Sequence, residues 1–146
     1  MTGGISEHMS ALRPNQLLAA LRAGRVEHCY VFGNHATPRG VDFVASSGLF
    51  GTLWFDLEHF DIATDQLAVL NLVARAHPVT TLARLYAGNY QTVQRVLETG
   101  VGGIMCSMVE SAEEASRIVR WAKFNNPSPA AGEITGQRGW NGGGIA

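Results

Sequence analysis

Three ionisable residues directly follow an apolar run in the middle of the chain. Residues 53–55 are Leu, Trp and Phe, and Asp56, Glu58 and His59 come next. A near-continuous apolar run is typical of a parallel strand buried on both faces, and α/β proteins place their chemistry at the carboxyl ends of such strands. His59 could act as a base near neutral pH, and Asp56 is close enough to hold its imidazole in one tautomer. The alternative is a strand–loop junction whose acidic residues are only solvated.

An arginine ends the next apolar segment. Residues 78–83 are rich in β-branched side chains and lead into Arg84, while His35 follows an earlier apolar run at residues 29–32. Carboxyl ends of parallel strands meet at one edge of a sheet, so Arg84 and His35 are expected on the same edge as His59. The guanidinium could bind an anion or form a salt bridge with a carboxylate of the preceding strand, and the two interpretations are compatible.

The elements that must position these side chains alternate regularly. A leading helix from Pro14 to Gly24 is predicted first. Strands are then predicted at residues 29–32, 53–55, 78–83 and 102–106, with helices at 38–48, 62–76, 89–100 and 111–123. Thr37 and Ser111 are predicted N-caps, and Ser111 with Glu114 forms a capping box. Residues 1–11 are expected to be a loose arm, and residues 12–146 are expected to form one α/β unit.

Strand–helix alternation of this kind predicts successive parallel (β/α) units. A closed eight-stranded TIM barrel typically needs about 250 residues, so the chain has material for about four of its eight units. A small open doubly wound sheet is the alternative, but the first strand–helix turn lacks the glycine-rich phosphate fingerprint.

Composition limits the classes of partner. The chain has 146 residues, 46% of them hydrophobic and 16% charged, and a formal net charge of -1. Neither nucleic acid nor an acidic membrane surface is an expected partner, because the basic residues are few and scattered. No apolar stretch is long enough to span a membrane. Cys29 and Cys106 lie in apolar runs and are expected to be buried reduced thiols, so a cytoplasmic location is predicted.

The order of short motifs is similar to that of the HpcH/HpaI aldolase family. The segments are FDLEH at 55–59, LARL at 82–85, LETGVGGI at 97–104, SAEEA at 111–115 and QRG at 137–139. The resemblance runs from about residue 12 to residue 139 and covers only the amino-terminal half of the family's barrel.

This resemblance implies a metal-dependent carbon–carbon lyase that cleaves or forms 2-oxo acids, such as pyruvate or 4-hydroxy-2-oxo acids, with an aldehyde as second substrate. A divalent ion (Mg, Mn or Co) would stabilise the enolate. His59 would act as base through a water, Asp56 would orient it, and Arg84 would bind a substrate oxygen. Arg138 and Gly139 would contact substrate. The family's two carboxylate metal ligands lie on later strands, so no ligand is assigned in this chain.

Two other functions remain open. A catalytically inert half-barrel could form a homo-oligomer or need a partner chain that supplies the metal ligands, because four (β/α) units leave two sheet edges unpaired. An open sheet could instead bind a small anion at Arg84.

Glu98 stands where the family usually has aspartate and is expected to be a solvated residue near a helix end.

Overall fold

Helices and strands alternate along the part of the chain that the computed structural model describes, residues 14–128 and 130–139. The arm predicted for residues 1–11 lies outside this part. The helices are α1 Gln16–Arg22, α2 Pro38–Ser46, α3 Thr64–Ala74, α4 Tyr90–Glu98 and α5 Ala112–Ala122. The strands are β1 Cys29–Phe32, β2 Thr52–Asp56, β3 Thr80–Tyr86 and β4 Gly103–Ser107.

The predicted helix starts are confirmed by side-chain caps. Thr37 accepts a hydrogen bond from the N–H of Gly40 at 3.1 Å, with Pro38 as the first residue of α2. Ser111 accepts one from the N–H of Glu114 at 3.1 Å. The Glu114 carboxylate accepts the N–H of Glu110 at 3.0 Å rather than that of Ser111. These caps bind N–H groups that have no partner within the helix.

All four strands are parallel and lie in the order β1-β2-β3-β4. Right-handed crossovers between consecutive neighbours place every connecting helix on the same face of the sheet. One core cluster accordingly joins the strands to α2, α3, α4 and α5. A doubly wound sheet would carry helices on both faces. The predicted half of a (β/α) barrel is therefore confirmed, and the doubly wound alternative is wrong.

The helices pack against one face of the sheet and leave the other face open. Leu53, Phe55 and Ala83 point into the helix layer and are fully buried. The opposite face, called the open face here, carries residues at alternate positions of each strand. Its members include Val31, Trp54, Asp56, Leu82, Arg84, Tyr86 and Met105, which the register aligns in rows across the sheet.

Strand β3 is longer than predicted. It continues to Tyr86, so Arg84 lies inside the strand rather than at its end. Side chains still alternate between the two faces in this extension: Leu85 is buried in the helix layer, whereas Arg84 and Tyr86 lie on the open face. Helix α3, in turn, begins at Thr64, two residues after the predicted start, and Ile62 is buried in the segment before it.

Helix α1 packs across the amino-terminal ends of β3 and β4. The Asn15 side-chain amide donates to the carbonyl of Gly102 at 2.8 Å, and the N–H of Gln16 donates to Oγ1 of Thr80 at 2.8 Å. A Cβ at Gly102 would lie 2.7 Å from Cγ2 of Thr80, which is closer than van der Waals contact allows. A glycine is therefore required where the chain enters β4.

Candidate active site

Asp56 and Arg84 form the polar centre of the carboxyl edge of the sheet. They are register partners on β2 and β3, so both side chains leave the open face at the same level. Arg84 Nε donates to Oδ1 of Asp56 at 2.9 Å, and Arg84 Nη2 donates to Oδ2. The Asp56 side chain is 3% exposed and that of Arg84 is 23% exposed. The geometry is that of a bidentate ion pair, which fixes the plane of the guanidinium.

The ion pair sets the charge state of both groups. The hydrogen bonds from Arg84 lower the pKa of Asp56 below its ordinary value of 3.8, although burial acts in the opposite direction. Backbone N–H groups of Glu58 and His59 lower this pKa further. The bond to Asp56 correspondingly raises the pKa of Arg84. Asp56 therefore remains a carboxylate throughout the neutral range, and Arg84 remains a cation.

The Asp56 carboxylate also shapes the loop after β2. Its Oδ1 accepts the N–H of Glu58 at 3.1 Å and the N–H of His59 at 3.4 Å. Aspartate side chains commonly bind their own backbone two or three residues on and so stabilise a turn. This turn brings Glu58 Oε2 to 3.3 Å from Nε of Arg84.

The imidazole of His59 does not contact Asp56. Its side chain is 61% exposed, and its Nε2 lies 3.7 Å from Oε2 of Glu58. The expectation that Asp56 holds the imidazole in one tautomer is therefore wrong for this structure. Arg84 occupies both carboxylate oxygens, and the turn directs the His59 backbone, not its ring, towards them.

Trp54 completes the surroundings of Arg84. The guanidinium carbon lies 5.0 Å from the centre of the Trp54 ring, within the range of a cation–π contact. Trp54 precedes Asp56 by two residues and so shares its face of β2. This contact was missed because Trp54 was interpreted only as part of the apolar run at residues 53–55, although its two-residue spacing from Asp56 was visible.

The N–H groups on Nη1 of Arg84 have no acceptor among the described residues. Its bonds to Asp56 involve Nε and Nη2, and no described residue accepts a hydrogen bond from Nη1. A cleft of about 470 Å³ opens beside Glu58 between this edge and the start of α4, and its lining includes Tyr86, Asn89 and Arg95. That volume suits a small metabolite. Neither this cleft nor a larger one of about 580 Å³ between α3 and α4 is lined by Asp56, His59 or Arg84.

Arg138 and Gly139 lie apart from this centre. Nη2 of Arg138 is 2.8 Å from Oε1 of Glu98, and its guanidinium carbon lies 4.5 Å from the centre of the Phe124 ring. The N–H of Gly139 donates to the hydroxyl of Tyr90 at 3.1 Å. Glu98 is the last residue of α4. The structure therefore places this arginine against the helix layer and gives Glu98 an ionic partner instead of simple solvation.

His35 is likewise separated from the ion pair. Its ring lies 5.6 Å from that of Phe32 and 6.3 Å from that of Tyr30, on the helix side of β1. Both rings belong to the helix layer, whereas Arg84 is on the open face. Of the predicted site residues, the structure brings together Asp56, Arg84 and the backbone of His59.

The described residues do not fit a divalent cation. Within residues 14–128 and 130–139 no group of three or more His, Cys, Asp or Glu side chains is arranged to hold a metal ion. Both oxygens of Asp56 bind Arg84, and the guanidinium charge stands beside Glu58. A metal at this edge would need ligands from outside the described residues.

None of the described helices is both long and apolar enough to cross a bilayer.

Similar proteins identify the fold. No family model matches the chain. A hydroxypyruvate/pyruvate aldolase of Paraburkholderia phytofirmans is 35% identical over 89 residues, which cover 60% of this chain and 33% of that protein. A protein of the same name from Delftia acidovorans is 32% identical over 117 residues, which cover 77% of this chain and 41% of that one. The solved structure of an HpcH/HpaI aldolase from Desulfitobacterium hafniense DCB-2 superposes with a TM-score of 0.74 and 29% identity, over 86% of this chain and 45% of that one. The chain thus spans less than half the length of these relatives.

Proposed function

We propose that this chain, which resembles the amino-terminal half of the HpcH/HpaI aldolases in sequence and fold, supplies the anion-binding and proton-transfer part of an aldolase site for 2-oxo acids. The names of the two sequence relatives, hydroxypyruvate/pyruvate aldolase, support this substrate class. The observation that carries the proposal is Arg84, held by Asp56 with Nη1 still free of described partners.

Arg84 would bind the substrate at oxygen. Cleavage of a 4-hydroxy-2-oxo acid breaks the bond between C3 and C4, releases an aldehyde from C4 and leaves negative charge on the enolate of pyruvate. Donors fixed in advance near the oxygen that gains this charge stabilise the transition state without reorganising. The ion pair with Asp56 provides this fixation, since it holds the guanidinium plane before substrate arrives.

His59 would transfer the proton. Cleavage removes a proton from the 4-hydroxyl group, and protonation of the enolate at C3 completes pyruvate. The exposed imidazole can take up and return a proton through a water. Glu58, 3.7 Å away, would stabilise the protonated ring. Asp56 is then a positioning residue, which binds the His59 backbone and Arg84 rather than the imidazole.

The resemblance also implies a divalent metal (Mg, Mn or Co), which would act as a Lewis acid towards the enolate oxygen. The described residues do not fit such an ion, and no step is assigned to it. A cytoplasmic location and an aldehyde co-substrate stay predictions from the sequence.

The test separates binding from chemistry. Pyruvate is titrated into the chain by calorimetry with and without manganese, and cleavage of a 4-hydroxy-2-oxo acid is followed by coupling pyruvate release to lactate dehydrogenase. Arg84→Lys is expected to weaken pyruvate binding about tenfold, because lysine cannot keep the forked contact with Asp56. His59→Gln is expected to keep binding and lose cleavage.

The matched control is Arg39→Lys, an exposed arginine at the start of α2. It should change neither binding nor cleavage. Absence of pyruvate binding at millimolar concentrations, with and without manganese, would overturn the proposal.

A second candidate function is a catalytically inert half-barrel that forms a homo-oligomer. The observation that favours it is the open face, where Val31 and Tyr86 are exposed among the residues that the structure describes. An oligomer that binds no pyruvate would identify this function.

A further inference from the structure

Trp54 and Arg84 are diagonal neighbours in the middle of the sheet. In the register of β2 and β3, Trp54 pairs with Leu82 and Asp56 pairs with Arg84. Side chains two positions apart on a strand share one face. The Arg84 guanidinium therefore meets the Asp56 carboxylate in its own row and the Trp54 ring in the row before it. Both strands have a neighbour on each side, so these contacts belong to the interior of the sheet.

The two contacts of the guanidinium complement each other. The bonds from Nε and Nη2 to Asp56 set the plane of the group, but only while both are intact. The Arg84 side chain is 23% exposed, so water competes for these bonds. The guanidinium carbon lies over the Trp54 ring, 5.0 Å from its centre. The ring attracts the cation and excludes water from that side of it, because guanidinium groups stack well on aromatic faces.

Trp54 keeps this position although its own N–H is left without a partner. Nε1 of Trp54 is buried, and no described residue accepts a hydrogen bond from it. A buried indole N–H usually finds an acceptor, because an unpaired buried donor costs free energy. An aliphatic side chain could fill the same space without this cost. The contribution that offsets it is the aromatic face turned to Arg84, and tryptophan offers the strongest such face among the aromatic residues.

The fixed guanidinium presents a second pair of donors. A guanidinium has five N–H groups, and Asp56 accepts from one on Nε and one on Nη2. No described residue accepts from Nη1 or from the second N–H of Nη2. One N–H of each of these nitrogens points away from the end of the side chain, and the two are parallel. This end-on pair matches two oxygens of a planar carboxylate, provided that the plane of the guanidinium is held still.

We infer that Trp54 is a positioning residue for this end-on pair of donors: its ring holds the Arg84 guanidinium in the plane set by Asp56, so that a carboxylate meets both N–H groups at once. Trp54 acts through Arg84 and transfers no proton. For the identity of the ligand, a 2-oxo acid, the inference rests on the proposed function. The hold of Trp54 on Arg84 exists without any ligand and is tested without one.

Two substitutions of Trp54 separate the aromatic face from the rest of the side chain. Trp54→Phe and Trp54→Leu both remove the unpaired N–H, but only phenylalanine keeps an aromatic face. Pyruvate is titrated into each variant by calorimetry. Trp54→Leu should bind pyruvate about fivefold more weakly than the original chain, and Trp54→Phe should stay within about twofold of it. Equal weakening in the two variants, or full affinity in Trp54→Leu, would overturn the inference.

Trp121→Leu is the matched control. Trp121 is half-buried like Trp54 and has its own cation–π contact, with the guanidinium carbon of Arg117 lying 5.6 Å from its ring centre. Both of these residues lie on α5, in the helix layer rather than on the open face. The control therefore loses the same ring and the same kind of contact, and it should bind pyruvate with the original affinity. Circular dichroism checks that all variants are folded. Weakening of the control equal to that of Trp54→Leu would overturn the inference.

A spectroscopic measurement tests the hold on Arg84 in the absence of ligand. In the ¹⁵N-labelled chain the Nε–H resonance of Arg84 is identified as the one that Arg84→Lys lacks. We expect this proton to exchange with water about fivefold faster in Trp54→Leu than in the original chain, and at close to the original rate in Trp54→Phe. Its chemical shift should also move in Trp54→Leu, because the ring current of the indole is lost. An unchanged shift and exchange rate in Trp54→Leu would overturn the inference. An original chain that binds no pyruvate would refute the proposed function, whereas this resonance still decides whether Trp54 positions Arg84.

Discussion

Replacing Asp56 with asparagine tests whether the ion pair with Arg84 stabilises the carboxyl edge. Asparagine keeps the shape and the Oδ1 acceptor that binds the N–H groups of Glu58 and His59. It places an NH2 group where Oδ2 accepts from Nη2 of Arg84, so two donors face each other. The substitution therefore removes one charge-assisted bond and weakens the other.

The size of the effect follows from burial. Hydrogen bonds to charged groups contribute about 1.5–3 kcal/mol net, and Glu58 at 3.3 Å offers Arg84 partial compensation. We expect a loss of about 2 kcal/mol for Asp56→Asn, at the lower part of that range. For a chain of this size each kcal/mol lowers the melting temperature by about 2–4 °C, so a fall of about 4–8 °C is expected at pH 7.

The effect has a defined pH dependence. The pKa of Asp56 is lowered in the folded state, so its stabilising contribution is complete above the ordinary value of 3.8 and is lost as the pH falls through the folded-state pKa below it. The difference between the original chain and Asp56→Asn should therefore stay constant from pH 7 to about 5. It should narrow only below pH 4.

Thermal unfolding followed by circular dichroism measures this difference. The control is Asp42→Asn, whose side chain is 63% exposed and 2.8 Å from Nε2 of His77, and it should change stability by less than about 1 kcal/mol. Equal melting temperatures for Asp56→Asn and the original at pH 7 would refute the reasoning. A difference that widens towards acid pH would also refute it.

Three further changes have defined outcomes. Asn71→Leu should destabilise the fold by about 2–3 kcal/mol in urea unfolding, because buried Asn71 accepts from Thr81 Oγ1 and leucine leaves that hydroxyl without its partner. Gly33→Ala should lower the melting temperature by an amount equivalent to about 1–3 kcal/mol, since its Cβ would lie 2.6 Å from the Phe60 ring; an unchanged melting temperature would show that the loop yields freely. Burial raises the pKa of Cys29 to about 11 and also raises the pKa of Cys106, so both thiols of the folded chain should react slowly with a thiol reagent at pH 7 and rapidly once denatured; fast reaction of the folded chain would contradict this.

The fold was predictable because its signals are local. Each strand has its own apolar run, and Thr37 and Ser111 mark helix starts within a few residues. Short strands of similar length that alternate with helices leave few alternatives to a parallel sheet. The proximity of Asp56 and Arg84 followed from the same reasoning, since carboxyl ends of neighbouring parallel strands share an edge.

The partner of Asp56 was not predictable from spacing. A residue three positions away and a residue on the next strand can both reach one carboxylate, and the sequence does not show which side chain turns towards it. Arg84 binds it because a buried bidentate pair satisfies both charges, whereas His59 can remain in solvent. Arg138 lies in a segment without periodicity, so no sequence pattern indicated its contact with Glu98.

Helix α1 joins parts of the chain that are synthesised far apart. The sheet pairs residues that are between 21 and 28 positions apart, such as Leu82 with Gly103 and Thr52 with Thr80, whereas Asn15 binds Gly102, 87 positions away. A helix of seven residues is not stable alone. At about 5–20 residues per second, the ribosome needs about 4–16 s to pass from residue 22 to residue 102. Helix α1 is therefore expected to complete its docking only after the start of β4 has been synthesised, and it is exposed to proteases and chaperones until then.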